Sequence, residues 1–315
     1  PLEGPCLSVN LFKNPMNWII VRENLVVMAG TFFWATGLPL MDHLLGQWDF
    51  MSLAAARSLI AGVFLFVLSY SMTRTLPRIQ PVMLAILIGL ITNGVGAACL
   101  VVGLSHSDPV TASILITLIP VISAIMDLFR GKRRIGWKLM LALVFSVTGG
   151  LLASLKPDQL RFEFGFGELG VLASTFFFVL YSRTILHYFS DTPQLSLLSI
   201  ATLSGGASLL AFALVSSILG VELRYTSEPI YLMQLVFLGI FSMGISTCLW
   251  FYGAGRLGVT HAALHQNLVP AFVMLIMLLL GQGFDWMKAL GGIFVVSGAV
   301  IAQTGHLVSS NKKNQ

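Results

Sequence analysis

Charged side chains are scarce in this chain: Asp, Glu, Lys and Arg make up 10% of 315 residues, against 56% hydrophobic ones and a mean hydropathy of +0.87. So little charge cannot cover a soluble globule, so the expected solvent is lipid. Cysteine is rare too. Cys99 and Cys248 fall in apolar stretches and Cys6 near the start, which leaves no disulfide framework and suggests no redox chemistry. The polar–apolar alternation of a barrel strand is missing, so helices are expected to satisfy the backbone. No Asp or Glu stands near the middle of a confident apolar stretch, which disfavours the buried carboxylate that a proton-coupled exporter of lipophilic cations uses. There is no HExxH pair, no Gly-x-Ser-x-Gly nucleophile, no paired aspartates for a metal diphosphate and no ATP-binding motif. An enzyme is therefore not expected, and neither is a cofactor or a metal. Carbonyl-filter loops and charge rings, the marks of a channel, are absent as well.

What the chain does have is apolar length. Stretches near 24–45, 50–73, 81–104, 107–129, 136–154, 166–189, 194–219, 229–255, 258–281 and 287–307 each approach the roughly 20 residues that a spanning helix needs. The expected fold is an all-α polytopic membrane protein of ten transmembrane helices. The shortest charge-free core, between Glu168 and Arg183, belongs to the sixth span. The first stretch is too long for a cleavable signal and lacks a small-residue cleavage site, so it is expected to insert and stay; Pro1 in place of an initiating Met points to a trimmed chain. With the N-terminus inside, 13 of the 18 Lys and Arg residues fall on the inner side, four on the outer side, and Arg57 within a span. Both termini are thus expected in the cytoplasm and the protein in the cell inner (cytoplasmic) membrane. The net charge of +5 follows from topology. The Arg130, Lys132, Arg133 and Arg134 cluster is read as meeting anionic lipid headgroups, with no nucleic-acid partner.

The chain repeats itself. Gly89, Gly94, Gly103, Ala112, Pro120 and Gly131 are matched 150 residues on by Gly239, Gly244, Gly253, Ala262, Pro270 and Gly281. Nearer the start, Thr31-Phe32-Phe33 matches Thr175-Phe176-Phe177 and Gly62 matches Gly206, at an offset of 144. Five spans per unit is an odd number, so the second unit is expected to enter from the opposite side, as in secondary transporters with inverted repeats and a midplane site. The expected organisation is a cytoplasmic tail over 1–23, a first five-helix repeat over 24–155, a second over 166–307, and a cytoplasmic tail over 308–315.

Thr31-Phe32-Phe33-Trp34-Ala35-Thr36-Gly37, Leu53-Ala54-Ala55-Ala56-Arg57, the runs Thr111 to Pro120 and Thr260 to Pro270, and the closing segments Trp137 to Gly150 and Trp286 to Gly298 together resemble the EamA-type branch of the drug/metabolite transporter superfamily. The resemblance covers almost the whole chain and rests on the order and doubling of the motifs. It implies metabolite transport, with export as the expected direction. One departure is local: where the family often carries a Leu-Gly-Glu glutamate after the fourth and ninth spans, this chain has Arg130-Gly131-Lys132 and Leu280-Gly281-Gln282.

Polar groups at membrane depth supply the candidate substrate-binding residues. Arg57 is the first, because its repeat mate is the uncharged Ala201; a cavity guanidinium would clamp a carboxylate or phosphate. The alternative is a snorkelling arginine paired with Asp42, Asp49 or Asp108. In the ninth span His261, His265 and Phe272 share a helical face, Gln266 flanks it, and Asn267 points nearly opposite. His265 is expected either to bind solute or carry a proton, or to be a satisfied interhelical histidine. Trp34, Tyr181, Trp250 and Tyr252 are candidates for stacking on an organic solute, or interface anchors. Thr92, Asn93, Thr117, Ser246 and Thr247 offer neutral hydrogen bonds, to solute or between helices. Pro39, Pro120 and Pro270 are the candidate gating positions, since proline frees a carbonyl and permits bending. The expected activity is a secondary transporter of small organic metabolites such as amino acids or organic acids, working as monomer or homodimer by alternating access. A non-transporting membrane sensor or assembly protein stays open beside it.

Overall fold

The computed structural model describes residues 15–74, 79–129, 164–188, 194–257, 262–263 and 265–311, with isolated positions between 137 and 162. Most of the expected fifth span lies outside them, as does His261. The described residues are mostly helical; the only strands among them are an antiparallel pair of two residues each, Leu155–Lys156 with Arg161–Phe162.

In chain order the helices are α1 (Pro15–Leu45), α2 (Phe50–Thr73), α3 (Ile79–Ile88), a π-helical turn (Gly89–Gly94), α4 (Val95–Leu104), α5 (Pro109–Ile116), α6 (Ile119–Phe129), α7 (Phe166–Tyr188), α8 (Gln194–Ile218), α9 (Pro229–Phe237), a second π-helical turn (Leu238–Ile245), α10 (Ser246–Leu257), a 3₁₀ turn (His265–Leu268), α11 (Val269–Leu279) and α12 (Trp286–Asn311). Six stretches are long and apolar enough to cross a membrane: Val21–Leu45, Phe50–Thr73, Val82–Leu104, Phe166–Ile185, Gln194–Ile218 and Pro229–Leu257. Pro109–Ser123, His265–Leu279 and Trp286–Gly298 are shorter apolar helices. The described architecture is that of a multi-pass membrane protein with six clear spans.

Helix ends follow their capping residues. Asp49 accepts from the Met51 and Ser52 amides at the start of α2, Asp108 from Val110 and Thr111 ahead of Pro109-led α5, and Asp285 from Met287 and Lys288 ahead of α12. Arg74 closes α2 in the left-handed conformation, its amide bonded to the Tyr70 carbonyl. The first helix reaches back to Pro15, ahead of the span expected from residue 24, and it carries Glu23 into the interior, where the residue is 2% exposed.

Two interruptions correct the expectation of continuous spans. The fourth and ninth apolar stretches are each broken just before their proline, α6 restarting at Ile119 and α11 at Val269. Proline has no N–H and clashes with the carbonyl four residues back, so the Ile116 and Gln266 carbonyls lose their helical donor. The amides of Thr117 and Leu118 turn back to Ile114 and Leu115, three residues behind, which tightens the break. His265 and Phe272 therefore do not share one α-helical face, because a 3₁₀ turn separates them.

The two halves pack through a pseudo-twofold relation. A Cβ added to Gly62 would strike Leu203, and one added to Gly206 would strike Leu59. The Ser69 and Ser196 hydroxyls meet at 2.7 Å farther along the same seam. As residue number rises on α2 through 59, 62 and 69, it falls on α8 through 206, 203 and 196, so these repeat-related helices run antiparallel. The relation extends outward: Gly89 abuts Ala201 and Ser204 while Gly239 abuts Arg57 and Ile60, and Gly103 abuts Val171 while Gly253 abuts Val27. Small residues at such crossings let backbones approach where lipid offers no hydrophobic drive between helices.

Candidate functional site

A cavity of about 120 Å³ opens where the halves meet. Its lining comes in repeat-related pairs: Thr92 with Ser242, Asn93 with Met243, Gly96 with Ser246, Ala97 with Thr247, Leu100 with Trp250, Ile116 with Gln266, and Trp34 with Phe178. Both π-helical turns sit on this wall at matched positions, Gly89–Gly94 and Leu238–Ile245. A π turn widens the helix and shifts the side chains beyond it, which is why such turns recur at functional sites. Nothing in hydrophobic periodicity announces one; the paired glycines were the available signal.

Of the residues singled out from sequence, Trp34, Arg57, Asn93, Tyr181, Ser246, Trp250 and Gln266 line this cavity. Thr117 and His265 are not among its lining residues. Thr117 is fully buried and donates its hydroxyl to the Ile114 carbonyl at 2.7 Å, inside the break before Pro120. His265 Nδ1 is buried without a hydrogen-bond partner. Thr175, Phe178, Thr202 and Phe251 also line the wall, and sequence reasoning did not name them as site residues.

No carboxylate lines the cavity among the described residues. Arg57 is 7% exposed, its Nη1 lies 2.6 Å from the Met41 sulfur, and its Nε has no partner. A thioether is a weak acceptor, so the guanidinium keeps most of its donor capacity unmet. The three aspartates weighed as partners do not pair with it: Asp49 and Asp108 are occupied as helix caps, and Asp108 also holds Lys288 at 2.8 Å. One more donor on the wall, Trp250 Nε1, is buried without a partner, and the Tyr181 hydroxyl lies beside Asn93 and Thr202 with no hydrogen bond of good geometry. Buried donors left unmade cost about 1–3 kcal/mol each, more when charged. The cavity wall thus presents an excess of donors, complementary to a small acceptor-rich group. Edge-on aromatic contacts, Phe178 with Trp250 at 5.4 Å and Tyr181 with Phe251 at 5.7 Å, stiffen the wall around it.

Polar ties cross between the halves beyond both ends of the cavity. At one end Lys288 reaches Asp108, while Arg224 donates its side chain to the Leu45 carbonyl at 2.7 Å and its amide to Asp49 at 3.0 Å. At the other end Arg183 donates to the Ser123 carbonyl at 3.0 Å, and Arg256 lies 3.9 Å from Glu23, which also holds Arg22 at 2.6 Å. Burial alone would raise the Asp108 carboxyl, but Lys288 and the Thr111 donors outweigh it and hold the group below its ordinary value.

Comparison with known proteins agrees with this architecture. The EamA-like transporter family matches the chain twice, over residues 21–155 and 165–304. An uncharacterized transporter of Bacillus subtilis (strain 168), YyaM, is 24% identical over 213 residues, 64% of this chain, and the match spans 66% of that protein's length. A solved crystal structure superimposes with a TM-score of 0.64 at 17% identity, covering 90% of this chain and 96% of that one, which speaks to the fold alone. With its doubled family match and paired cavity wall, the chain belongs to the EamA-like transporter family, within the drug/metabolite transporter superfamily.

Proposed function

We propose that the protein is a secondary transporter of ten spans, two inverted five-helix repeats over 24–155 and 166–307, that carries a small carboxylate-bearing metabolite through the cavity by alternating access. The observation that carries this reading is Arg57, a buried cation without a carboxylate partner on the wall of an otherwise uncharged cavity. Its repeat mate is Ala201, so the fold itself does not require a charge at this position. A cavity of this size is nearer the one of about 150 Å³ that holds benzene than the 300–1,000 Å³ of drug sites, which favours a compact metabolite. The antiparallel α2/α8 seam supports the inverted arrangement, and the basic-residue bias supports cytoplasmic termini in the cell inner membrane, with export as the direction. Reconstitution in liposomes tests the reading directly: saturable flux of amino acids or organic acids is the expected result, and no flux for any class favours a sensor or assembly role.

Alternating access requires that the ties at one end open while those at the other hold. In this reading Asp108–Lys288 and the Arg224 ties close the outer end, and Arg183 and Arg256 close the inner one. Pro39, Pro120 and Pro270 supply bending points. With the native cysteines replaced and a single cysteine at Gln266, Lys288→Met should raise labelling by a membrane-impermeant maleimide from outside several-fold, and the charge exchange Asp108→Lys with Lys288→Asp should restore protection. Unchanged labelling in Lys288→Met rejects the latch. The lowered Asp108 value means that its stabilisation is present above the unfolded pKa of about 3.9 and is lost only as pH falls through the lower folded one. Labelling should therefore not respond to pH between about 5 and 8 through this pair.

A further inference from the structure

The cavity has two chemically different ends. One end carries the charge, Arg57, and Met243 of the second π-helical turn also lines the wall. At the repeat-related end the charge is replaced by Ala201, and polar side chains stand where the other half has an apolar one or none. There Asn93 is the mate of Met243 and Tyr181 the mate of Gly37, while Thr202 keeps the hydroxyl of its mate Ser58. Asn93 Nδ2 lies 3.4 Å from Thr202 Oγ1, a long contact that leaves the amide with spare hydrogen-bonding capacity. Tyr181 is 4% exposed, and its hydroxyl lies beside the Asn93 and Thr202 side chains without a hydrogen bond of good geometry to either. All three side chains line the cavity. By the register of the seam, Thr202 lies abreast of Val63, six residues and roughly 9 Å of helix rise from Arg57. Repeat symmetry alone would make the ends alike, so their difference marks a polarity in what is bound.

We propose that Asn93, Tyr181 and Thr202 form a second subsite that selects solutes bearing an uncharged hydrogen-bonding group, a hydroxyl or a carboxamide, at the end remote from the anion held by Arg57. This rests on the carboxylate reading of Arg57 and adds a specificity to it. An amide and a phenol can both donate and accept, so they satisfy a neutral tip. An ammonium tip would find no carboxylate there among the described lining residues, and a methyl tip would leave the buried polar atoms unpaired.

The test uses the full chain in lipid nanodiscs and four probes of equal length: hexanoate, ω-hydroxyhexanoate, the monoamide of adipic acid and ω-aminohexanoate. Binding is followed by quenching of intrinsic tryptophan fluorescence. The hydroxyl- and amide-tipped acids should bind about 10-fold or more tightly than hexanoate, as expected when a site built for a hydrogen bond meets an analogue lacking it. Asn93→Leu and the near-isosteric Thr202→Val should bring the affinity ratio of the hydroxy acid to hexanoate down toward one. Arg57→Gln should weaken all four together. No tip preference in the wild type, or an Asn93→Leu loss as large for hexanoate as for the hydroxy acid, overturns the second subsite and leaves the carboxylate reading intact. Binding that ignores Arg57→Gln overturns the carboxylate reading instead, and the absence of binding by all four overturns both. Thr202→Val, which keeps the side-chain shape, guards against a misfolded Asn93 variant.

Discussion

Arg57→Gln should weaken saturable flux of a carboxylate-bearing solute by roughly 10- to 100-fold at subsaturating concentration, Arg57→Lys should retain part of it, and Arg57→Met should raise the thermal stability of the solute-free protein while transport falls. Charge-assisted hydrogen bonds contribute about 1.5–3 kcal/mol each, so losing the guanidinium weakens solute affinity by roughly 10- to 100-fold. Lysine keeps the charge but not the planar fork that matches a carboxylate at two points. The gain in stability has a separate origin. Burying a cation costs several kcal/mol unless it is paired, and Arg57 has only a sulfur beside it. An apolar side chain of similar length removes that cost. A purely structural arginine would behave in the opposite way, with stability falling and flux following it down. Melting temperature and flux measured on the same preparations separate the two, and parallel loss of both would refute the solute-clamp role.

The second large effect falls on the seam. Gly62→Val and Gly206→Val each push a side chain into Leu203 or Leu59 on the facing helix, where the backbone nitrogen as well as the side chain stands in the way. Overpacking of this kind costs about 1–3 kcal/mol, and lowers the melting temperature by on the order of 5 °C for a chain of this size. Because α2 and α8 cross at the centre of the pseudo-twofold relation, the two variants should produce similar losses. Gly283→Ala is the control: a Cβ there meets no atom within 4 Å, and the melting temperature should not change. A tolerated Gly62→Val would mean that the seam is looser than its geometry and would weaken the case for a shared axis.

Much of this was readable in the primary structure. Glycines and a proline at a constant offset revealed the duplication, and Gly89, Gly94, Gly239 and Gly244 among them turned out to make close interhelical contacts and to lie in the two π-helical turns. Charge asymmetry between repeat mates singled out Arg57 by comparison of the halves alone. His265, whose repeat mate is the apolar Leu115, stands out by the same comparison, yet it is not on the cavity wall, because the break before Pro270 replaces a regular helical face by a 3₁₀ turn. Thr202 escaped notice because a threonine in an apolar helix looks the same whether it faces lipid, a neighbour or a cavity.

Composition and apolar length by themselves determined the solvent, the helical class and the doubling, since these depend on sums over many residues and on spacing along the chain. Which polar atoms are left unpaired, where the helices break, and which ends of the cavity differ were decided only in three dimensions. Those properties depend on partners brought together from residues more than a hundred positions apart, and on local departures from 3.6-residue periodicity that no regular pattern records.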